Sequence, residues 1–138
     1  MIEFSVRFRS SLGNVKAAES LWNVYLEAQD LPPEKRYWLS LSIHELAINA
    51  IVHGNREDEG KWVTIEIDRG EESLEVRITD QGRQERLPEI LDPTRDENLL
   101  KNHGRGLFIV RHNVDEMDLK LIPQEGLQAV VRMKLHAA

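Results

Sequence analysis

The chain contains no cysteine, which excludes disulfide staples and thiolate metal sites and fits a reducing compartment. No apolar run approaches the ~20 residues needed to span a bilayer, and Met1-Ile2-Glu3-Phe4 opens without a signal-peptide pattern. The expectation is a cytoplasmic protein with no membrane partner. Basic residues are outnumbered: 18 Lys and Arg stand against 24 Asp and Glu, a net charge of -6. Such a field discourages contact with polyanions, so no direct nucleic-acid partner is expected. The five histidines, at 44, 53, 103, 112 and 136, show no metal-ligand spacing, which argues against zinc. Internal repeats and low-complexity segments are also missing. What is there is 138 residues, 41% hydrophobic, enough for one core and one domain over 1–138. The acidic residues gather at Glu57-Asp58-Glu59, Glu71-Glu72 and Asp92 to Glu97, and read as solvated loops.

Apolar periodicity divides the chain. Phe4, Val6 and Phe8 alternate with Ser5, Arg7 and Arg9, a half-buried strand over Glu3 to Arg9. Val15, Ala18, Leu21, Trp22 and Tyr25 carry a helical pattern from Asn14 to Ala28, with Ser10 or Ser11 available to cap it. Pro32-Pro33 restarts a second helix that runs to Gly54-Asn55. Val63, Ile65 and Ile67, then Leu74, Val76 and Ile78, alternate on either side of a turn at Gly70 to Ser73 and predict an antiparallel hairpin. A charged stretch from Arg83 to His103 follows, longer than most connections inside a compact domain, and loops of that length are usually functional or mobile. A helix over Leu107 to about Asn113 and two more alternating segments, Met117 to Leu121 and Ala129 to Leu135, complete the order β-α-α-β-β-loop-α-β-β. Short turns between successive strands imply antiparallel pairing. The fold class is α+β, a two-layer α/β sandwich with a mostly antiparallel sheet and helices on one face.

The second helix is unusual. At about 100° per residue, Ser42, Glu45, Asn49 and His53 fall in one narrow sector. Leu39, Ile43, Leu46 and Ala50 flank that sector on one side, and Leu41, Ile48 and Val52 on the other. An ordinary surface helix shows one apolar stripe and one broad charged face. A carboxylate and an amide hemmed in by apolar residues are either hydrogen-bonded in the core or lining a cavity, because buried and unpaired they would be costly. His44 projects away from this sector. Trp22, Tyr25, Trp38 and Trp62 read as packing residues rather than stacking platforms.

Three features follow one another: Glu45-x3-Asn49 with His53 on a helix, Asp80-x-Gly82 at a strand end, and Gly104-Arg105-Gly106-Leu107 opening a helix after a charged loop. In this order they resemble the N, G1 and G2 boxes of the GHKL nucleotide-binding superfamily. The finer resemblance is to the anti-sigma factor/serine-protein kinases of bacterial partner-switching systems. It is carried by Glu45-x3-Asn49-Ala50-x2-His53-Gly54, Asp92-Pro93, Glu97-Asn98-Leu99-Leu100, the run Gly104 to Arg111, and Asp115-Glu116.

That resemblance implies a Bergerat-type ATP site. Asn49 would offer its amide oxygen to Mg2+, a hard cation that keeps several waters and needs few protein ligands. Glu45, one helical turn earlier, lies where a phosphoryl-transfer base should be. The family's equivalent of Asp80 holds the adenine amino group, and Gly82 lets the backbone turn tightly beside the base. Gly104 and Gly106 would bring backbone N–H groups to the phosphates at the start of a helix, with Leu107 following and Arg105 adding a charge-assisted contact. His53 would stand at the pocket rim or simply end the helix. The implied activity is phosphorylation of a STAS-type anti-sigma-factor antagonist on serine or threonine, with capture or release of a sigma factor or similar regulator. Members commonly dimerise, so a homodimer is expected. Two departures stand out: Arg83-Gln84-Glu85 continues the Asp-x-Gly where the family carries a further glycine or aromatic, and Gln128-Ala129 occupies the place of a late Gly-Thr. They leave room for a non-catalytic nucleotide-binding module that sequesters its partner. The catalytic half of a split histidine kinase is a further alternative.

Overall fold

The computed structural model describes residues 1–95 and 105–136. Strands β1 (Ile2–Arg9), β2 (Trp62–Arg69), β3 (Ser73–Thr79), β4 (Glu116–Ile122) and β5 (Gly126–Lys134) form one sheet in the order β1-β2-β3-β5-β4. Every neighbouring pair is antiparallel. Register aligns the apolar positions into rows: Ile65 opposes Ile78, Ile78 opposes Ala129, and Ala129 opposes Leu119. Because side chains alternate along a strand, these rows make one face of the sheet apolar and leave the other polar.

Helices α1 (Leu12–Glu27), α2 (Pro33–Asn49) and α3 (Arg105–Asn113) cover the apolar face. Val15, Ala18, Trp22 and Leu26 of α1 recur every three or four residues and are buried. Trp22 is fully enclosed, and its indole N–H donates to Ser40 Oγ at 3.1 Å, which satisfies the polar atom that so large a core residue carries. Leu39, Ile43, Leu46 and Ala47 of α2 join the same core. Pro33 stands in the first turn of α2, where a missing N–H costs nothing.

The end of α2 differs from the plain α-helix that the periodicity predicts. Ala50–Gly54 form one π-helical turn, closed by the Asn55 N–H donating to Ala50 O at 2.8 Å. This wider turn rotates His53 relative to the stripe that precedes it, and such turns recur at functional sites. Arg56 and Glu57 follow with φ of 52° and 57°, the sterically restricted left-handed region, and send the chain back toward β2. Fully buried Asn55 secures the bend: its Nδ2 donates to Trp62 O at 3.0 Å and its Oδ1 accepts from Gln81 N at 2.7 Å.

The uncovered face of the sheet is a charge network. Arg77 contacts Asp68 at 2.9 Å, Glu75 at 3.5 Å and Glu66 at 3.7 Å, and Arg132 bridges Glu75 and Glu116. Arg7 and Arg9 lie over the Trp62 ring at 4.3 and 4.0 Å, so this tryptophan packs on the polar face rather than in the core. Beyond β3, residues 80–95 carry neither helix nor strand, as the charged stretch from Arg83 predicts; residues 96–103, the rest of that stretch, lie outside the described residues.

Candidate functional site

Asp80 leaves the end of β3 and is 2% exposed. Its Oδ1 accepts from the backbone N–H of Leu127 at 2.9 Å and of Gly82 at 3.0 Å. Its own N–H donates to Leu127 O at 3.0 Å, which ties the carboxylate to the first residues of β5. Burial pushes the Asp80 carboxyl up from its ordinary value; the two backbone N–H groups and the charge of Lys61 oppose that rise without cancelling it. No described residue donates a hydrogen bond to Oδ2.

Backbone is pressed directly against this carboxylate. A Cβ built on Gly54 would lie 1.9 Å from Asp80 Oδ2, and one on Gly126 would lie 2.4 Å from Oδ1. Gly82 in turn meets the Gly54 carbonyl, 2.0 Å from where its own Cβ would stand. The end of the π turn, the strand exit and the start of β5 can therefore converge on one acid only because no side chain intervenes.

A cavity of about 290 Å³ is walled by Asn49, His53, Gly54, Gln84, Leu107 and Leu127, of which Gly54 and Leu127 touch Asp80. A smaller, mostly apolar void that shares Asn49, Leu107 and Leu127 with this cavity is lined by Leu46, Ala50, Ile78 and Ala129 together with Asp80. The amide of Asn49 borders both. Glu45, one turn earlier, is half-buried and points to the start of α3: its Oε2 is 2.8 Å from where a Cβ on Gly106 would stand. No described residue hydrogen-bonds to it. Leu107, 2% exposed, gives the cavity an apolar wall, and Arg105 is exposed at the first position of α3. Gly104 lies outside the described residues.

The polar stripe therefore resolves into separate environments. Ser42 is buried and donates to Trp38 O at 2.7 Å, taking no part in the cavity. Glu45 and Asn49 are partly buried, and His53 is exposed at the rim. His44 faces the other way, its Nδ1 3.5 Å from Glu19 on α1.

Several residues escape the sequence reading. Gly54 and Asn55 look like an ordinary helix stop, yet one packs on Asp80 and the other pins the bend. Gly126 looks like a turn glycine, and Leu127 like any strand residue. Gly126 and Leu127 are the residues of β5 that meet Asp80, whereas Gln128 sits on the open face, bonded to Thr79 Oγ1 at 3.1 Å, and Ala129 is in the core. A usable signal existed, since a buried acid at a strand end needs small neighbours and backbone donors, and Gly126 lies beside Asp80 once β3 and β5 pair.

The family model for the histidine kinase-like ATPase domain matches residues 8–135. The chain belongs to that family. It is similar to the serine-protein kinase RsbW of Listeria monocytogenes, 30% identical over 99 residues that cover 67% of this chain. That match spans 62% of the kinase's own length. The RsbW of Listeria innocua is 29% identical over 99 residues, 67% of this chain and 62% of the relative. An anti-sigma F factor of Clostridium perfringens is 25% identical over 100 residues, 71% of each chain. The fold and the ATPase family agree with the resemblance carried by the motifs. Among the described residues, no helix is long and apolar enough to cross a membrane.

Proposed function

We propose that this chain is an ATP- and magnesium-dependent protein serine/threonine kinase that acts as an anti-sigma factor in a partner switch, with a STAS-type antagonist as substrate. The observation that carries the proposal is the grouping of Asp80 and Asn49 around one void, with Glu45 one turn from Asn49 and against Gly106 at the start of α3. A buried acceptor such as Asp80 suits an exocyclic amine, and the apolar residues around it suit a flat base. Membership of an ATPase family and likeness to a serine-protein kinase and an anti-sigma F factor support the same reading.

In this reading Asp80 and Gly82 orient the base, and Leu107 shields it. Asn49 would hold Mg2+ through its amide oxygen, a hard donor of the kind that ion accepts. The bound ion would neutralise phosphate charge and help align the transferred group. Arg105 and Gly106 bring N–H groups and a cation to the phosphates as α3 begins, and Gly104, carried over from the motif, is proposed to join them. Glu45 takes the proton of the attacking hydroxyl; its contact with Gly106 sets the carboxylate beside that phosphate end. His53 borders the opening without a proton-transfer role. A homodimer is the assembly in which we expect the switch to work.

Incubation with labelled ATP, magnesium and a STAS-domain partner tests this. The expected product is an acid-stable phosphoprotein formed on the partner. Acid-labile phosphate would instead assign transfer to histidine. One observation favours a second reading, a nucleotide-dependent sequestering module: Glu45 lines neither the cavity nor the adjoining void that Asn49 and Asp80 share. Stoichiometric partner capture with nucleotide, and no phosphate transfer, would establish that alternative.

A further inference from the structure

The base end of the cavity contains a polar atom that the phosphoryl-transfer reading leaves unused. Gln84 stands two residues beyond Gly82, and its side chain folds back over that glycine, Oε1 lying 2.8 Å from where a Cβ on Gly82 would be. This oxygen is buried and has no hydrogen-bond partner. Gln84 walls the cavity that Asn49, His53 and Gly54 share, and also an adjoining cleft of about 640 Å³ bounded by the turn from Ile122 to Gly126. Buried carbonyl oxygens without a donor are rare in folded proteins, so each one points to a partner the bare chain does not supply.

Asp80 Oδ2 is a second acceptor without a described donor in the same region. Gly54 connects the two: it packs on the Asp80 carboxylate and on Gly82, over which Gln84 lies. Two acceptors around one contact suit a group that offers two hydrogens. A primary amine on a heteroaromatic ring does so, whereas a ring carbonyl at that position would meet two oxygens of its own kind.

We propose that Gln84 is a base-specificity residue, accepting one hydrogen of the exocyclic amine of an adenine-type base while Asp80 accepts the other. The inference rests on the nucleotide-binding reading above and adds to it a residue outside the three motifs. Gln84 is chemically unlike the glycine or aromatic that the resemblance leads one to expect there, so the discrimination is a property of this chain.

Calorimetric titration of the full chain with ADP, IDP and N6-methyl-ADP, with magnesium present, tests it. The wild type binds ADP in preference to both analogues. In Gln84→Ala that preference narrows by about 5- to 10-fold, the effect of one buried hydrogen bond. ADP stays bound through Asp80. The comparison of ADP with N6-methyl-ADP on the wild type needs no substitution and so does not depend on how the variant folds. Wild-type indifference between those two ligands, or an unchanged preference in Gln84→Ala, overturns the role of Gln84 while leaving the nucleotide site standing. Failure of the wild type to bind ADP at all overturns both.

Discussion

Asp68 and Asp80 sit on opposite faces of the same sheet, and their surroundings shift the two carboxyls in opposite directions from the ordinary value. Asp68, on the open face, receives two hydrogen bonds from the Arg77 guanidinium, at 2.9 and 3.1 Å, and its carboxyl is held below the ordinary value. Asp80, on the helix side, is bonded only to backbone N–H groups, and burial raises its carboxyl. One acid is neutralised by the fold; the other is kept short of a cation. The wider surroundings repeat this difference. Glu66, Glu75 and Glu116 all reach an arginine, whereas Glu45 meets no described cation and Gln84 Oε1 no donor. A face that satisfies its own charges contributes to folding, and a face that leaves acceptors open is built for something that arrives later.

Glu45 gives the largest way to break this contrast. Glu45→Gln keeps the side chain's size and removes its capacity to take a proton. Loss of a positioned base costs ~10²–10⁴-fold in rate. Phosphorylation of the STAS partner should fall by that amount, while nucleotide affinity and partner capture stay near wild type. A wild-type rate in Glu45→Gln would make this carboxylate as structural as those on the open face.

Asp80→Asn comes next. The amide keeps an oxygen for the Leu127 and Gly82 N–H groups but presents NH₂ where the base amine needs an acceptor. Losing a hydrogen bond to a charged group is worth about 1.5–3 kcal/mol, or roughly 10- to 100-fold in nucleotide affinity. Stability should move the other way. At neutral pH the buried charge destabilises the folded state, so the variant should melt at the same temperature or higher. Protonation of Asp80 relieves the same cost, so the variant's advantage should shrink as pH falls through the raised carboxyl value. Melting curves across that range beside titrations with ADP would check both halves.

The element order, the antiparallel sheet and the helix-covered face were legible because period-2 and period-3.6 patterns are local and strong in this chain. Phe4-Val6-Phe8 and Val63-Ile65-Ile67 state their buried face outright. Glu45 and Asn49 were legible for another reason, polar residues standing where apolar ones belong, and Asp80 because an Asp-x-Gly ends a strand in the order the resemblance requires. The π turn was not, since Ala50 to Gly54 continues the apolar pattern and a wider hydrogen-bond ring leaves no mark in residue type. Nor was the convergence of Gly54, Gly82 and Gly126 on one carboxylate. It arises from β3 pairing with β5 rather than with β4, a long-range choice that brings residues distant in sequence together. Gln84 read as part of a charged loop because nothing in its neighbours says that its amide folds back over Gly82.

Gly54→Ala is expected to have a smaller effect, divided between folding and binding. The new methyl would have to displace the Asp80 carboxylate, whose Cγ is 2.5 Å from its position. Overpacking of this kind typically costs about 1–3 kcal/mol. The melting temperature should fall, and nucleotide affinity should fall with it because Asp80 must move. A substitution tolerated in both measurements would mean that the carboxylate has room to spare, and the close-packed acid would lose its meaning.

Asp68→Asn should have the smallest effect, and it sharpens the comparison by its pH dependence. The ion pair with Arg77 lies on a partly exposed face, where such pairs contribute about 1 kcal/mol or less. Glu66 and Glu75 remain beside the guanidinium after the substitution, so even that amount is shared. Because the Asp68 carboxyl is depressed in the folded state, its contribution is present above the ordinary aspartate value of about 4 and is lost as pH falls through the folded value. The stability gap between wild type and Asp68→Asn should therefore be small at neutral pH and close in acid, the wild type being the more stable. For Asp80→Asn the gap also closes in acid, with the variant the more stable. Nucleotide affinity should be unchanged in Asp68→Asn at every pH. Opposite signs at neutral pH and a shared disappearance in acid would separate the two aspartates by what each face of the sheet does with a charge; equal signs would mean that burial at Asp80 is offset by its two backbone N–H groups after all.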